Sequence, residues 1–184
     1  MTTDMVTRTV AAARRGGKDA ATGGALYLAF LLGNAVYAIE IERIREIVEY
    51  SKPTAVPMMP PAVRGVINLR GGVVPVIDLA VRFGAEPTAT GRRTCFVIVE
   101  VVHAGAVHVL GLVVDRVNAV TEIRPGDIEP PPAFGARINT EFIRGMARSS
   151  DGFVIILDVV RTLSMEEMAA LGTVGADHDA LLAA

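Results

Sequence analysis

The chain has a single cysteine, Cys95, among its 184 residues, and it has no tryptophan. One cysteine excludes an internal disulfide framework and is typical of a protein in a reducing compartment. The apolar run 96–99 follows Cys95, which predicts a buried strand residue rather than a nucleophile. A chain of this length can bury a sizeable hydrophobic core without a disulfide or a metal.

An excess of charge of one sign is also missing, because 18 Lys and Arg residues nearly balance 20 Asp and Glu residues. A nucleic-acid partner needs clustered basic residues and aromatic side chains, and aromatics make up only 5% of the chain. No apolar run reaches the roughly 18 residues of a membrane span. The N-terminal region lacks the apolar stretch of a secretory signal. We therefore expect a cytoplasmic protein that binds no nucleic acid and does not insert into a membrane.

Few residues are arranged for catalysis or metal binding. The three histidines have no cysteine or carboxylate at metal-ligand spacing, and no phosphate loop, dinucleotide fingerprint or Gly-x-Ser-x-Gly elbow occurs. Asp78 and Asp158 each precede a short helical pattern, which predicts helix N-caps rather than a catalytic pair. An enzyme that uses Asp78, Asp115 or Asp158 as an acid or base is the less favoured alternative. We expect no cofactor and no metal.

The sequence does have many short apolar segments rich in Val and Ile, separated by Gly, Pro and Asn. Segments of this kind at this spacing predict a β-sandwich or β-barrel. The predicted strands are Leu26–Leu32, Val36–Ile41, Arg64–Leu69, Val73–Ile77, Cys95–Val101, Val107–Val114 and Phe153–Leu157. The segment 41–48 also has apolar residues at helical spacing, so its periodicity leaves helix and strand open.

The two ends of the chain differ from this pattern. Residues 1–24 are rich in Thr, Ala, Gly and Arg without a sustained period, and we predict a flexible N-terminal tail. Near the C-terminus, Ser164 and Glu167 have the spacing of a capping box. They predict a short helix at about 165–171, followed by a flexible tail over 173–184.

The chain contains an internal repeat. Residues 38–44 align with 111–117 at an offset of 73 residues, and later segments align at an offset of 80. The repeat predicts two similar β-modules, at about 25–86 and about 95–163. The second copy of the ambiguous segment is rich in β-branched residues, which favours a strand in both copies. Closing each module into a small barrel removes its exposed edges and leaves a groove between the barrels.

Two charged residues lie in apolar surroundings in the first module. Arg70 follows the apolar segment 64–69 and precedes two glycines, and Glu46 lies in another apolar-flanked segment. Because a guanidinium group is always charged, Arg70 needs a partner, and Glu46 is a candidate. Two interpretations stay open. The pair either closes one end of a barrel or forms a polar feature of an apolar binding groove.

Specific motifs run through the structured part of the chain. They are Phe30-x-x-Gly33-x-x-x-Tyr37-x-Ile39, Ile44-x-Glu46-Ile47, Val56-Pro57, Gly65-Val66-Ile67-Asn68-Leu69-Arg70-Gly71, Val74-Pro75-Val76-Ile77-Asp78-Leu79, Gly111-Leu112-Val113-Val114-Asp115-x-Val117 and Phe142-Ile143-x-Gly145. The block 68–79 is the most specific of them. With these motifs the chain resembles the CheW family of chemotaxis coupling proteins over about residues 25–172.

The resemblance implies an all-β fold of two five-stranded SH3-like barrels side by side, with a short C-terminal helix. It implies a non-enzymatic adaptor that couples methyl-accepting chemoreceptors to the histidine kinase CheA. An adaptor of a non-motility or pilus-type chemosensory pathway is the alternative. The implied partners are the regulatory domain of CheA and the cytoplasmic receptor tip, which docks as a helix in the groove. We expect a monomer when isolated, recruited to receptor arrays at the inner face of the membrane.

The resemblance also implies two sets of site residues. The kinase-binding residue is Gly65, and the receptor-binding residues are Ile44, Glu46, Arg70, Gly111 and Gly145. The glycines can act indirectly, because a side chain at these positions could disturb the barrel itself. The basic N-terminal extension and the run Pro130–Pro132 go beyond the family pattern and have no predicted role.

Overall fold

The computed structural model describes residues 3–16, 23–131 and 140–163. Most of them lie in β-strands, which confirms the predicted all-β class. The strands are β1 (Ala25–Leu32), β2 (Ala35–Glu40), β3 (Ile44–Glu49), β4 (Val63–Leu69), β5 (Gly72–Asp78), β6 (Cys95–His103), β7 (Ala106–Val114), β8 (Arg116–Ile123), β9 (Ile128–Glu129), β10 (Ile143–Ser149) and β11 (Gly152–Leu157). The α-helices are α1 (Thr3–Gly16), α2 (Leu79–Arg82) and α3 (Val159–Thr162), and single 3-10 turns lie at Ile41–Arg43, Pro125–Asp127 and Thr140–Phe142.

The strands form two sheets. Sheet A has six strands in the order β8-β1-β2-β11-β10-β9, and sheet B has five in the order β3-β6-β7-β5-β4. Neighbours are antiparallel except for the pairs β2–β11 and β5–β7, which are parallel. This arrangement is consistent with the predicted pair of SH3-like modules. Among the strands that the structure describes, no pairing joins the two ends of either sheet.

The sheets do not follow the predicted module boundaries of 25–86 and 95–163. Each sheet combines strands from both halves of the chain, because β2 pairs with β11 and β7 pairs with β5. The internal repeat is nevertheless present in the structure. Shifting the strands of one sheet by 73 or 80 residues gives the equivalent strands of the other sheet, in the same order. The parallel pair Ala38↔Ile156 of sheet A corresponds to Gly111↔Val76 of sheet B. The modules are therefore intertwined rather than consecutive.

The hydrophobic core has three parts. The largest lies between the sheets and includes Phe30 and Ile39 from sheet A, and Val97 and Leu112 from sheet B. Each sheet also covers a smaller cluster on its other face. Strand β6 is buried on both faces, which explains why the sequence shows it as a continuous apolar run.

The prediction of a flexible tail over 1–24 is wrong for residues 3–16, which form helix α1. Val6 and Val10, one turn apart, are only 3% and 1% exposed and join the core between the sheets. Asp4 in the first turn and basic residues in the last turn complement the helix dipole. The helix packs on both β3 and β8, which are edge strands of the two sheets.

The remaining local predictions concern the segment 41–48, the caps Asp78 and Asp158, and the C-terminal helix. The ambiguous segment forms one 3-10 turn followed by β3, so the strand interpretation is confirmed from Ile44 onward. Asp78 and Asp158 cap α2 and α3 as predicted. The predicted helix at 165–171 and the predicted tail beyond it lie outside the described residues. None of the helices in the described ranges is long and apolar enough to cross a membrane.

Candidate binding surface

A tight turn between β4 and β5 presents Arg70. Leu69 pairs with Gly72, and the two residues between them have φ angles of +53° at Arg70 and +85° at Gly71. Two positive φ values are typical of the type I′ turns that join antiparallel strands. The side-chain oxygen of Asn68 accepts a hydrogen bond from the Gly71 N–H at 2.9 Å, which holds the turn. The backbone therefore fixes where the Arg70 side chain begins.

Arg70 and Glu46 form the predicted ion pair. The Arg70 Nη2 atom lies 2.8 Å from the Glu46 Oε2 atom. The pair joins β3, one edge of sheet B, to the turn that follows β4, the other edge. The Arg70 side chain is 78% exposed and that of Glu46 only 15% exposed. Most of the guanidinium group therefore faces solvent, while the carboxylate below it is largely covered.

The repeat provides an internal comparison for this pair. At the offsets of 73 and 80 residues, Glu46 corresponds to Ala119 and Arg70 corresponds to Ser150. Neither Ala119 nor Ser150 can form an ion pair, and the β10–β11 turn has a different backbone shape, because Ser150 and Asp151 lack the positive φ angles of Arg70 and Gly71. A positive φ angle also disfavours Arg, since Gly, Asn or Asp adopts it at lower cost. Folding alone does not explain an arginine at position 70.

Two of the other predicted receptor residues lie inside the protein. Ile44 is the first residue of β3 and is fully buried in the core between the sheets. Gly111 is buried in β7, where an added Cβ would lie 3.4 Å from the Ile98 Cδ1 atom. Its equivalent in sheet A is the fully buried Ala38. Neither residue shares the exposed surface of Arg70.

Gly65 and Gly145 occupy equivalent, buried positions at irregularities in β4 and β10. An added Cβ at Gly65 would lie 2.2 Å from the Thr54 carbonyl oxygen, and Gly65 also has a φ angle of +135°. An added Cβ at Gly145 would lie 2.4 Å from Ile128 Cγ2 and 2.9 Å from the Glu129 oxygen. At both positions a neighbouring segment packs directly on the glycine. The geometry gives both glycines a structural role.

Helix α1 packs on one side of the molecule in a cleft between β3 of sheet B and β8 of sheet A. We call it the inter-sheet cleft; its walls are Ile44 and Ile47 of β3 and Val117 and Val120 of β8, all packed into the core between the sheets. Sequence reasoning missed the helix that fills it. Its signal was weak, since a single pair of valines four residues apart marks the apolar face.

A second opening is polar, with a volume of about 480 Å³ between β2, β10 and α3. Glu40 pairs with Arg144, and Asp158 pairs with Arg161 at 3.7 Å. Burial raises the pKa of the nearby Tyr27 hydroxyl, and the Glu40 carboxylate raises it further. The lining carboxylates named here are thus held in ion pairs.

The residues considered for catalysis have structural partners. Asp78 is fully buried and accepts hydrogen bonds from the Ala80 and Thr88 amides. Asp115 accepts one from the Gly33 amide at 2.7 Å. Burial raises the pKa of the Cys95 thiol to about 11. In the described part of the chain, no three His, Cys, Asp or Glu residues are grouped to hold a metal ion.

Comparison with known proteins extends these observations. Residues 26–167 match the model of the CheW-like domain. The chain is 36% identical over 157 residues to the chemotaxis protein CheW of Klebsiella aerogenes, covering 85% of this chain and 92% of that protein. It is 31% identical over 143 residues to the probable chemotaxis protein CheW of Rhizobium etli, covering 78% and 90%. The crystal structure of the scaffolding protein TtCheW from Thermoanaerobacter tengcongensis superimposes with a TM-score of 0.69 at 33% identity, covering 78% of this chain and 90% of that one. On its sequence and its fold, the chain belongs to the CheW family.

Proposed function

We propose that this chain is a non-enzymatic adaptor that couples methyl-accepting chemoreceptors to the histidine kinase CheA in a chemotaxis array. The observation that carries the proposal is the exposed Arg70 on a turn that disfavours arginine, above a largely covered Glu46. A locally unfavourable residue that the fold does not require indicates a binding role. Membership in the CheW family supports the same role.

On the receptor side, the proposed site combines the inter-sheet cleft with the Arg70–Glu46 pair. The cleft offers apolar walls between two edge strands, a shape that suits one helix of a receptor tip. Buried apolar side chains would supply most of the affinity, and arginine is favoured at such surfaces because its planar group fixes orientation. Ile44 is buried, so it would affect receptor binding indirectly, by shaping the wall of the cleft.

On the kinase side, the proposed surface lies at the β4 edge of sheet B, where Gly65 seats the Thr54 segment. Gly65 is buried, so its contribution to kinase binding would be indirect, through the shape of this edge. Strands β3 and β4 are opposite edges of sheet B. The two edges meet where the turn after β4 reaches Glu46. A receptor helix at β3 and a kinase domain beside the Thr54 segment would still use different residues of sheet B, which bridging requires.

The proposal is tested by mixing the full chain with a CheA regulatory domain and a receptor-tip hairpin. Size-exclusion chromatography with light scattering measures the mass of each complex. We expect a complex with each partner alone and a ternary complex with both. Pairwise complexes without a ternary one would contradict bridging, and binding to neither partner would contradict the adaptor role altogether.

A further inference from the structure

Helix α1 occupies the surface that the proposed receptor helix needs. We propose that α1 is an internal competitor, which covers the inter-sheet cleft until a receptor helix displaces it. The inference rests on the proposed function, because its competing ligand is the receptor tip. It adds a regulatory element that lies in this chain's own N-terminal segment.

The seating of α1 supports a helix-binding cleft. The helix spans from β3 to β8 and inserts Val6 and Val10 into the core that both sheets share. Its hydrogen bonds to β3 are donated by the Thr7 and Arg14 side chains. Helix α1 is therefore held as a separate helix and is not part of either sheet. The cleft therefore accepts an amphipathic helix with apolar residues four positions apart.

Helix α1 lies along β3, the strand that carries Glu46 of the proposed receptor site. The Thr7 hydroxyl donates to the Ile47 carbonyl oxygen at 3.4 Å, and Arg14 Nη1 donates to the Arg45 carbonyl oxygen at 3.2 Å. These two carbonyl groups flank Glu46 on β3. The Glu46 side chain itself lies on the other face of sheet B, since Glu46 pairs with Ile98 and Ile47 pairs with Val97. A receptor helix that enters the cleft along this edge of β3 would occupy the same edge as α1, so the two helices would compete for it.

The attachment of α1 is weak enough to be reversible. A 14-residue helix is marginal in isolation, so its order depends on packing. Among its side chains whose burial is described, only Val6 and Val10 are fully buried, while Met5 is 56% exposed and the Asp4–Arg8 ion pair lies in solvent. Two valines, Ala13 and the two hydrogen bonds to β3 must therefore offset the ordering of the whole helix. A partner helix with a wider apolar face can displace it.

The test uses the full chain and two matched double variants. Val6→Asp with Val10→Asp removes both anchors and releases α1 from the cleft. Met5→Asp with Thr9→Asp adds the same charge at the same spacing on the exposed face of the helix. Calorimetry measures the affinity of each protein for a receptor-tip hairpin, and amide hydrogen exchange reports protection of residues 3–16 with and without the hairpin.

We expect the anchor variant to bind the hairpin about tenfold more tightly than wild type, as for a cleft that is closed about nine-tenths of the time. The exposed-face variant should bind as wild type does. In wild type, saturating hairpin should remove the exchange protection of residues 3–16. A chain from which residues 2–16 are deleted should match the anchor variant, which covers the case in which the aspartates disturb folding.

Equal affinities in all proteins, with α1 still protected in the complex, would overturn the competition while leaving the adaptor function standing. Weaker binding by both the anchor variant and the deletion would overturn it as well, since α1 would then form part of the receptor site. Absence of hairpin binding in every protein would overturn the proposed function, and the competition with it.

Discussion

The α-carbon of Gly65 lies against the carbonyl group of Thr54, so closely that a Cβ at Gly65 would be 2.2 Å from the Thr54 oxygen. Thr54 also forms an antiparallel bridge with Val66, the residue after Gly65. Since Gly65 also has a φ angle of +135°, two separate constraints exclude a side chain there. The glycine therefore fixes the shape of the β4 edge.

Gly65→Ala should lower the free energy of unfolding by about 3 kcal/mol or more, because it adds a backbone clash to the strain of the positive φ angle. Gly152→Ala is the matched control, since Gly152 has the same φ angle of +135° with open space around its α-carbon. Urea unfolding of both variants measures the difference. Equal losses would show that the contact with Thr54 adds nothing.

Gly111→Ala should change the free energy of unfolding by less than about 1 kcal/mol. The added methyl group would meet side chains at 3.4–3.7 Å, and sheet A already has Ala38 at the equivalent position. We expect the variant to bind a receptor-tip hairpin with wild-type affinity. Full stability together with lost receptor binding would instead give Gly111 a direct role at the site.

Asp78→Ala should destabilise the fold by about 3–5 kcal/mol, because it leaves buried donors and the Arg64 guanidinium group without their acceptor. The equivalent Asp158→Ala should cost only about 1 kcal/mol, since Asp158 mainly caps the short helix α3 and its side chain is 35% exposed. Thermal unfolding of the two variants checks the order. Similar losses of stability in the two variants would contradict the difference in burial between Asp78 and Asp158.

The Cys95 thiol should resist alkylation at pH 8 in the native protein and react after unfolding in guanidinium chloride. Burial raises its pKa from 9.0 to about 11, so the thiolate form is disfavoured only in the folded state. Stability from this shift is complete below pH 9 and is lost as the pH rises through about 11. Rapid native labelling at pH 8 would contradict the burial.

The sequence predicts the strands well because β-branched residues and turn residues are local signals. The ion pair of Arg70 and Glu46 could also be predicted, since charged residues in apolar segments need partners. The exchange of strands between the two halves of the chain could not be predicted from the sequence. Both copies of the repeat present the same apolar pattern, so the pattern does not distinguish pairing within a copy from pairing between copies.

Helix α1 was missed for a different physical reason. Its order depends on two valines that contact residues distant in the sequence, and not on the propensity of its Thr- and Ala-rich segment. The roles of Gly65 and Gly145 were visible only as motif positions. What makes each of them indispensable is a segment from another part of the chain, which no local pattern reveals.

The most direct test of the adaptor proposal is calorimetric titration of wild type and Arg70→Ala with a receptor-tip hairpin and, separately, a CheA regulatory domain. Arg70 is exposed but leaves the largely covered Glu46 carboxylate without a partner when it is removed, so the variant should lose about 1–3 kcal/mol and keep a cooperative unfolding transition. We expect at least about tenfold weaker receptor binding, from the loss of a central arginine, and unchanged kinase binding. Unchanged receptor affinity would contradict the account, as would loss of the cooperative unfolding transition, which would make Arg70 a structural residue.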